Sequence, residues 1–430
     1  MPIKKPRGVA DILPGEVERW QRLESIVREI TRIYGYQEIR TPVFEFTELF
    51  QRGVGEETDI VAKEMYTFTD RRGRSLSLRP EGTAAVVRSF IENSLFNRPQ
   101  PVKLYYTGPM FRYDRPQAGR FRQFHQFGVE VFGSDEPAVD AEVIALLTDF
   151  FKRIGLKDLL LEINSVGCPK CRQELVAALR EYFKTVMEKL CRDCKERVER
   201  NPLRLLDCKE EGCGELAKQA PVPLDFLCPG CRAHFAGVRE ELDVLGIAYV
   251  VNPRLVRGLD YYTGTSFEVL LPGIGAQSAI GAGGRYNNLV VTCGGPPTPG
   301  VGFAVGIERT LLALDQQGLT LREAEPPGVF VATAGEGAER MVAGIIQNLR
   351  DAGFPADREY ARRSLKTQLK QANRRGSKWV VIAGEEELNR GKLALRDMDT
   401  GEQVEIDVKD LVSWLKQHDA GQTTGSKNSF

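Results

Sequence analysis

Residues 108–133, GPMFRYDRPQAGRFRQFHQFGVEVFG, constrain the fold more than any other stretch of the 430-residue chain. Four arginines (Arg112, Arg115, Arg120, Arg122) stand among five phenylalanines and lead to Glu130. Aromatic-rich runs on either side of Pro116 and Gly119 read as two extended arms joined by a turn. Arginine presents a planar fork of donors that matches phosphate oxygens. An aromatic face beside it can stack a base or a guanidinium. The segment therefore reads as a hairpin that holds a charged nucleotide; the alternative is a solvated arginine-rich loop beside core phenylalanines.

A chain of this length is expected to form two or three domains. Its 59 Lys and Arg balance 59 Asp and Glu. With no net field to draw in nucleic acid, any RNA contact must come from local patches. The opening residues, MPIKKPRGVADILPGE, have no apolar signal-peptide core, and no apolar run reaches membrane-spanning length. Nine cysteines, an odd number, without an export signal point to a reducing cytoplasm.

Apolar residues recur at helical steps across 16–34, ending at Gly35, and a strand is expected over 36–40. Residues 65–69 and 75–78 read as a hairpin, 83–94 as a helix, 101–133 as strand-rich, 138–154 as a helix and 159–164 as a short strand. From Gly167 to Gly246 the chain turns helical, charged and cysteine-rich, which marks an insertion into a larger, mainly antiparallel α+β domain. Strand patterns resume at 248–253, 266–271 and 279–281, with a Pro/Gly turn at 296–302 and a helix from 306. Residues 323–328, EAEPPG, read as a linker, and 328–417 as a separate α/β domain. The polar stretch 418–430 reads as a disordered tail.

Four further motifs can carry chemistry. Arg79-Pro-Glu-Gly-Thr83 sets a carboxylate and a hydroxyl in a turn that opens a helix, suited to an ammonium group or to simple capping by Thr83. RGLDYYTG, residues 257–264, crowds an arginine, an aspartate and two tyrosines into one short loop. Neighbours on a strand face opposite ways, so Tyr261 and Tyr262 are not expected to form one core cluster. GAGGRY, 281–286, is not a dinucleotide fingerprint; its glycines allow a close approach of backbone or a bulge. GFAVGIER, 302–309, reads as a strand, a glycine and a helix start, with Arg309 in the first turn facing a phosphate or solvent.

Eight cysteines fall in four close pairs: Cys168/Cys171, Cys191/Cys194, Cys208/Cys213 and Cys228/Cys231. The first two pairs have the spacing of a tetrathiolate zinc site, and the last two nearly do. One or two structural zinc ions or reduced thiols are the alternatives. No cysteine is paired with a nearby histidine for nucleophilic chemistry; the histidines are His125, His234 and His418.

Together these runs resemble the class II aminoacyl-tRNA synthetases, specifically the bacterial-type histidyl-tRNA synthetase family, from Lys4 to about Leu415. Residues 16–42 resemble the family's motif 1, 111–124 its motif 2 and 302–309 its motif 3. RGLDYYTG and GAGGRY resemble its two histidine signatures. The resemblance implies a histidine–tRNA ligase. It would use ATP with Mg²⁺, L-histidine and tRNA(His), pass through a histidyl-adenylate, and act as a homodimer built on motif 1.

It also implies domains: a discontinuous catalytic domain (1–166 and 247–322), the insertion (167–246) and an anticodon-binding domain (328–417). Arg112 and Arg309, helped by Arg120, are implied to hold the ATP phosphates, Phe124 to stack on adenine, and Asp114 to reach ATP or the tRNA end. Asp114 departs from the family's usual glutamate and is one carbon shorter. Glu81, Gly82 and Thr83 are implied to hold the ammonium group and Gln126 to orient the carboxylate region. Glu130 and Tyr262 are implied to read the imidazole, with Tyr261 and Tyr286 in the same pocket. Arg257 is implied to stabilise charge on the α-phosphate. Arg362, Arg363, Lys366, Lys370 and Arg374 fall in the region implied to touch tRNA; the alternative is a solvated helix face. A non-catalytic paralogue of the same fold would be expected to erode the arginines and lack the C-terminal domain.

Overall fold

The computed structural model describes residues 2–56, 58–208, 210–274, 278–321, 328–335, 337–361 and 363–419. The chain divides into two compact units, Met1–Arg322 and Glu323–Phe430. Most of the expected linker and all but the start of the expected disordered tail lie outside the described residues.

In the first unit the helical periodicity of 16–34 becomes the helix Val17–Ile33, which buries Trp20, Leu23, Val27 and Ile30. Removing each such side chain from water stabilises the fold by about 1.5–3 kcal/mol. The two arms of 108–133 are the strands Val102–Phe111 and Gln123–Phe132, paired antiparallel. They belong to an eight-stranded sheet ordered Gln37–Glu38, Val102–Phe111, Gln123–Phe132, Gly300–Gly306, Ala279–Arg285, Thr263–Leu270, Leu160–Ser165, Val250–Val251. The pairing is antiparallel throughout except for the short strand at each edge, which is parallel to its neighbour. Helix Pro137–Arg153 packs on this sheet, with Ile144, Leu147, Phe150 and Phe151 in one core with Phe127, Val129, Phe303 and Val305. The expected hairpin forms between Thr67–Thr69 and Ser75–Leu78.

One turn is shorter than expected. The strand already begins at Gly300, and Gly302 stands opposite Glu130 in the register. A Cβ on Gly302 would lie 2.2 Å from Glu130 Oε2. Glycine here leaves the room that the Glu130 side chain fills, so the chain runs on as strand through residues that read as a turn.

Among the described residues, 167–246 contain no strand. Helices Pro169–Thr185, Arg192–Arg200 and Glu211–Ala217 surround Leu175, Leu179, Phe183 and Val198. Helix Pro229–Val244 instead sends Phe235, Val238 and Leu242 into the main core.

The second unit is a five-stranded mixed sheet ordered Ala356–Arg358, Val329–Ala334, Trp379–Gly384, Lys392–Asp397, Gln403–Asp407. The first three strands are parallel and the last two pairings antiparallel. Helix Ala338–Asp351 buries Val342, Ile345, Ile346 and Leu349 in its core. The alternating run QVEID at 403–407, absent from the sequence reading, forms the edge strand.

Candidate active site

A cavity in the first unit gathers all but one of the residues implied to bind histidine and ATP: Glu81, Thr83, Arg112, Asp114, Arg120, Phe124, Gln126, Glu130, Arg257, Tyr261, Tyr262, Tyr286 and Arg309. They come from the turn before helix Thr83–Glu92 and its first residue, the second of the paired arms and the connection between the arms, the loop before strand Thr263–Leu270, the residue after strand Ala279–Arg285, and the first turn of helix Ile307–Gln316. Gly82 is the exception. It is not part of the cavity wall, and a Cβ there would stand 2.3 Å from the Tyr106 ring. Its role in this fold is to let the turn close on that ring.

The acidic end is buried. Glu130 has no exposed surface. Thr83 Oγ1 donates to Glu130 Oε1 at 2.6 Å, and Tyr286 Oη donates to Glu130 Oε2. Burial pushes the Glu130 carboxyl up to about 8 against the pull of those two hydroxyls. The Glu81 carboxylate accepts the backbone N–H of Thr83 (2.7 Å) and of Ala84 (2.9 Å). Glu81 therefore satisfies the first turn of the helix, leaving the Thr83 hydroxyl for Glu130; capping by Thr83 itself does not occur. Gln126 Oε1 is buried without a hydrogen-bond partner among the described residues, and the residue lines the cavity. Buried polar atoms are normally paired, so this one suits a polar ligand.

Tyr261 and Tyr262 both line the cavity, their ring centroids 4.6 Å apart. They line the cavity together because both precede strand Thr263–Leu270, so the alternation of strand faces does not apply to them.

The cationic end carries four arginines. Arg112 Nε donates to Pro80 O at 2.9 Å, and its guanidinium lies 5.3 Å from the Phe124 ring centroid. Burial holds Arg112 below the usual arginine range. Arg120 pairs with Asp114 across the turn. Arg309 Nη1 donates to Ala279 O at 2.5 Å, and burial also lowers this arginine. Arg257 pairs with Glu268; burial disfavours its charge, but Glu268 and Tyr262 outweigh that and raise it. Preorganised cations in a partly dry cavity stabilise developing negative charge far better than water does.

The chain matches the family model "Histidyl-tRNA synthetase" over residues 8–310 and "Anticodon binding domain" over 328–418. The chain belongs to the histidyl-tRNA synthetase family. It is 59% identical over 412 residues to the histidine–tRNA ligase of Desulforamulus reducens, covering 96% of this chain and 98% of that one. It is 58% identical over 425 residues to that of Pelotomaculum thermopropionicum, covering 99% of each. The crystal structure of apo S. aureus histidyl-tRNA synthetase superposes with a TM-score of 0.82 at 43% identity, over 96% of this chain and 100% of that one. The α+β class II architecture expected from the sequence is the one that forms. The family activity is ATP-dependent attachment of histidine to tRNA(His).

Several residues around this synthetase site escaped the sequence reading. Glu268 fixes Arg257; a lone acid inside the apolar strand run was its one visible signal. Glu308 lines the cavity and accepts from the His125 backbone N–H at 2.9 and 3.0 Å, with His125 Nδ1 at 2.9 Å. Arg285, 2% exposed, hydrogen-bonds the fully buried Asp140, with both Asp140 oxygens 3.1 Å from its Nε. Nothing local in GAGGRY announces that pair.

The cysteines assemble differently from their order in the chain. One quartet is Cys168, Cys171, Cys228 and Cys231; the other is Cys191, Cys194, Cys208 and Cys213. The outer pairs join each other and the inner pairs nest between them, correcting the pairing of successive motifs. The helices of 169–244 fold back on themselves, bringing the first and last pairs together. Either quartet is a donor set that can hold a metal ion.

In the second unit Lys366, Lys370 and Arg374 are exposed on helix Leu365–Arg374, which buries Gln368 and Ala372. Arg363 is exposed and lies within 3.9 Å of Glu359. Arg362 lies outside the described residues. No helix among the described residues is long and apolar enough to cross a membrane.

Proposed function

We propose that the cavity holds L-histidine at its Glu130 end and ATP, as its Mg²⁺ complex, at its arginine end. The histidine carboxylate oxygen attacks the α-phosphorus and pyrophosphate leaves. A terminal hydroxyl of tRNA(His) then attacks the carbonyl carbon of the histidyl-adenylate, forming the ester and releasing AMP. A carboxylate nucleophile needs no general base, so catalysis rests on positioning and charge stabilisation.

Glu130 and Tyr262 read the imidazole nitrogens, with Tyr261 and Tyr286 closing the pocket. Glu81 and Thr83 hold the ammonium group, and Gln126 orients the carboxylate region. Arg112, Arg120 and Arg309 grip the phosphates, Phe124 stacks on adenine, and Arg257 stabilises the α-phosphate as charge develops. Asp114 sets Arg120. In the second unit Lys366, Lys370 and Arg374, with Arg362 and Arg363, contact tRNA. The chain acts as a cytoplasmic homodimer through residues 16–42. The two cysteine quartets are structural zinc sites.

The observation that carries this reading is the fully buried Glu130, bonded by Thr83 and Tyr286, in one cavity with four arginines. Histidine-dependent ATP–pyrophosphate exchange with Mg²⁺ tests it. Pure protein that exchanges with histidine and charges tRNA(His) supports the reading; no exchange overturns it.

A further inference from the structure

Three of the four cysteine pairs open a helix. Cys168, Cys191 and Cys228 are the residues just before Pro169–Thr185, Arg192–Arg200 and Pro229–Val244, and Cys171, Cys194 and Cys231 follow in their first turns. A helix N-terminus favours the thiolate form that ligates metal. The second partner in each quartet adds a backbone donor: Cys228 N–H to Cys171 Sγ at 3.1 Å, and Cys191 N–H to Cys213 Sγ at 3.2 Å. Within each quartet all four sulfurs lie within 4.8 Å of one another. Zinc–thiolate bonds of about 2.3 Å in a tetrahedron put sulfurs about 3.8 Å apart. The Cys168–Cys171 sulfurs are at 3.6 Å, well beyond a disulfide bond. The donor set fits zinc in both places.

The outer quartet is tied to the substrate cavity by more than proximity. Arg172, next to Cys171, donates to Asp260 O (2.9 Å) and Asp260 Oδ1 (3.1 Å). Asp260 immediately precedes Tyr261 and Tyr262. Next to Cys168, Gly167 O accepts from Gly264 N–H at 2.9 Å, and Val166 N–H donates to Gly264 O at 2.8 Å. Gly167 takes φ +70°, and a Cβ there would stand 2.6 Å from Cys171 Cβ. The loop that carries the two tyrosines is thus bonded on either side of them, at Asp260 and Gly264, to residues adjoining ligands of one quartet.

We propose that zinc in the outer quartet is a clamp for the loop 257–264, so that metal occupancy sets how well the pocket reads histidine. This rests on the zinc and histidine readings above. Without the ion, four thiols in one small space have neither a shared ligand nor full hydrogen bonding. The start of helix Pro169–Thr185 then loosens, and with it the Arg172–Asp260 and Gly167–Gly264 contacts. Arg172 is a positioning residue in this scheme, because it acts through Asp260.

The test uses the full chain with zinc content, amide hydrogen exchange and kinetics measured together. Wild type is expected to hold two zinc ions per chain. Cys228→Ser with Cys231→Ser should hold one, exchange the amides of 257–264 at least tenfold faster, and raise histidine KM about tenfold with ATP KM within twofold. Cys231→His, which keeps a zinc ligand, should retain two zinc ions and a near-normal histidine KM. Arg172→Leu should keep two zinc ions yet reproduce the faster loop exchange and raised histidine KM, which covers the case in which the serine variant fails to fold. Fewer than about half an equivalent of zinc in fresh wild-type protein, or disulfides in its place, overturns the zinc reading. Two zinc ions with unchanged loop exchange in Arg172→Leu overturns the clamp. Wild type that lacks histidine-dependent exchange fails the histidine reading alone, since zinc content and amide exchange still report on the clamp.

Discussion

Thr83 Oγ1 donates a 2.6 Å hydrogen bond to Glu130 Oε1 across 47 residues of chain. It places the start of one helix against the C-terminal part of strand Gln123–Phe132 and aims a buried acid into the cavity. Glu81 frees the Thr83 hydroxyl for this bond by taking the helix amides itself.

Glu130→Gln keeps the shape but replaces a carboxyl that can gain or lose a proton with an amide whose nitrogen can only donate. Losing a buried, partnered polar contact costs about 1–3 kcal/mol. Histidine KM should therefore rise roughly tenfold to a hundredfold, with ATP KM within about twofold, in exchange assays. Equal rises in both would refute the role of Glu130.

The same substitution carries a pH signature. An unfolded glutamate ionises near 4.3, whereas burial lifts Glu130 to about 8 in the fold. Between those values the folded state holds a proton that the unfolded state has lost. Stability from this group is complete below about 4.3 and is lost as pH rises through about 8. The slope is at most about 1.4 kcal/mol per pH unit. Melting curves of Glu130→Gln and wild type should diverge from pH 5 to 8, the variant gaining relative stability, and run parallel above. Parallel curves across the whole range would contradict the buried neutral carboxyl.

Arg257→Gln removes a cation held by Glu268 at the cavity wall. Loss of one preorganised group at the developing charge costs about 10²–10³ in rate. The exchange kcat should fall by that factor with histidine KM little changed. A variant that loses histidine affinity instead would move Arg257 out of the phosphate role.

Arg285 and Asp140 form a buried pair, with His234 Nε2 3.4 Å from Asp140 Oδ2. Arg285→Leu takes the guanidinium partner from that buried carboxylate and leaves His234 beside it, a loss of about 3–5 kcal/mol. Thermal unfolding should shift sharply downward, and adding Asp140→Leu should recover most of the loss. No recovery in the double variant would show that the pair supports the fold by geometry rather than by charge.

Lys366→Gln with Lys370→Gln should weaken tRNA(His) binding and flatten the dependence of log affinity on log salt by about one to two. Filter binding across a salt series reads it directly. An unchanged slope would make the row an ordinary solvated face.

What the sequence by itself determined is local or ordered along the chain. Period-3.6 apolar spacing marked Val17–Ile33, aromatic arms around a Pro/Gly turn marked the central hairpin, and the succession of motifs marked the family. Each of these needs only near neighbours, because helix and strand periodicities are set within a few residues. Tertiary structure alone decided which cysteine pairs meet, which acid caps the Thr83 helix, which carboxylate holds Arg257, and that Arg285 is matched by Asp140. Those partners are chosen by sheet register and helix packing over tens to hundreds of residues. A charge or thiol looks the same in sequence whatever it will face. Only when burial removes water does the identity of its partner carry energy.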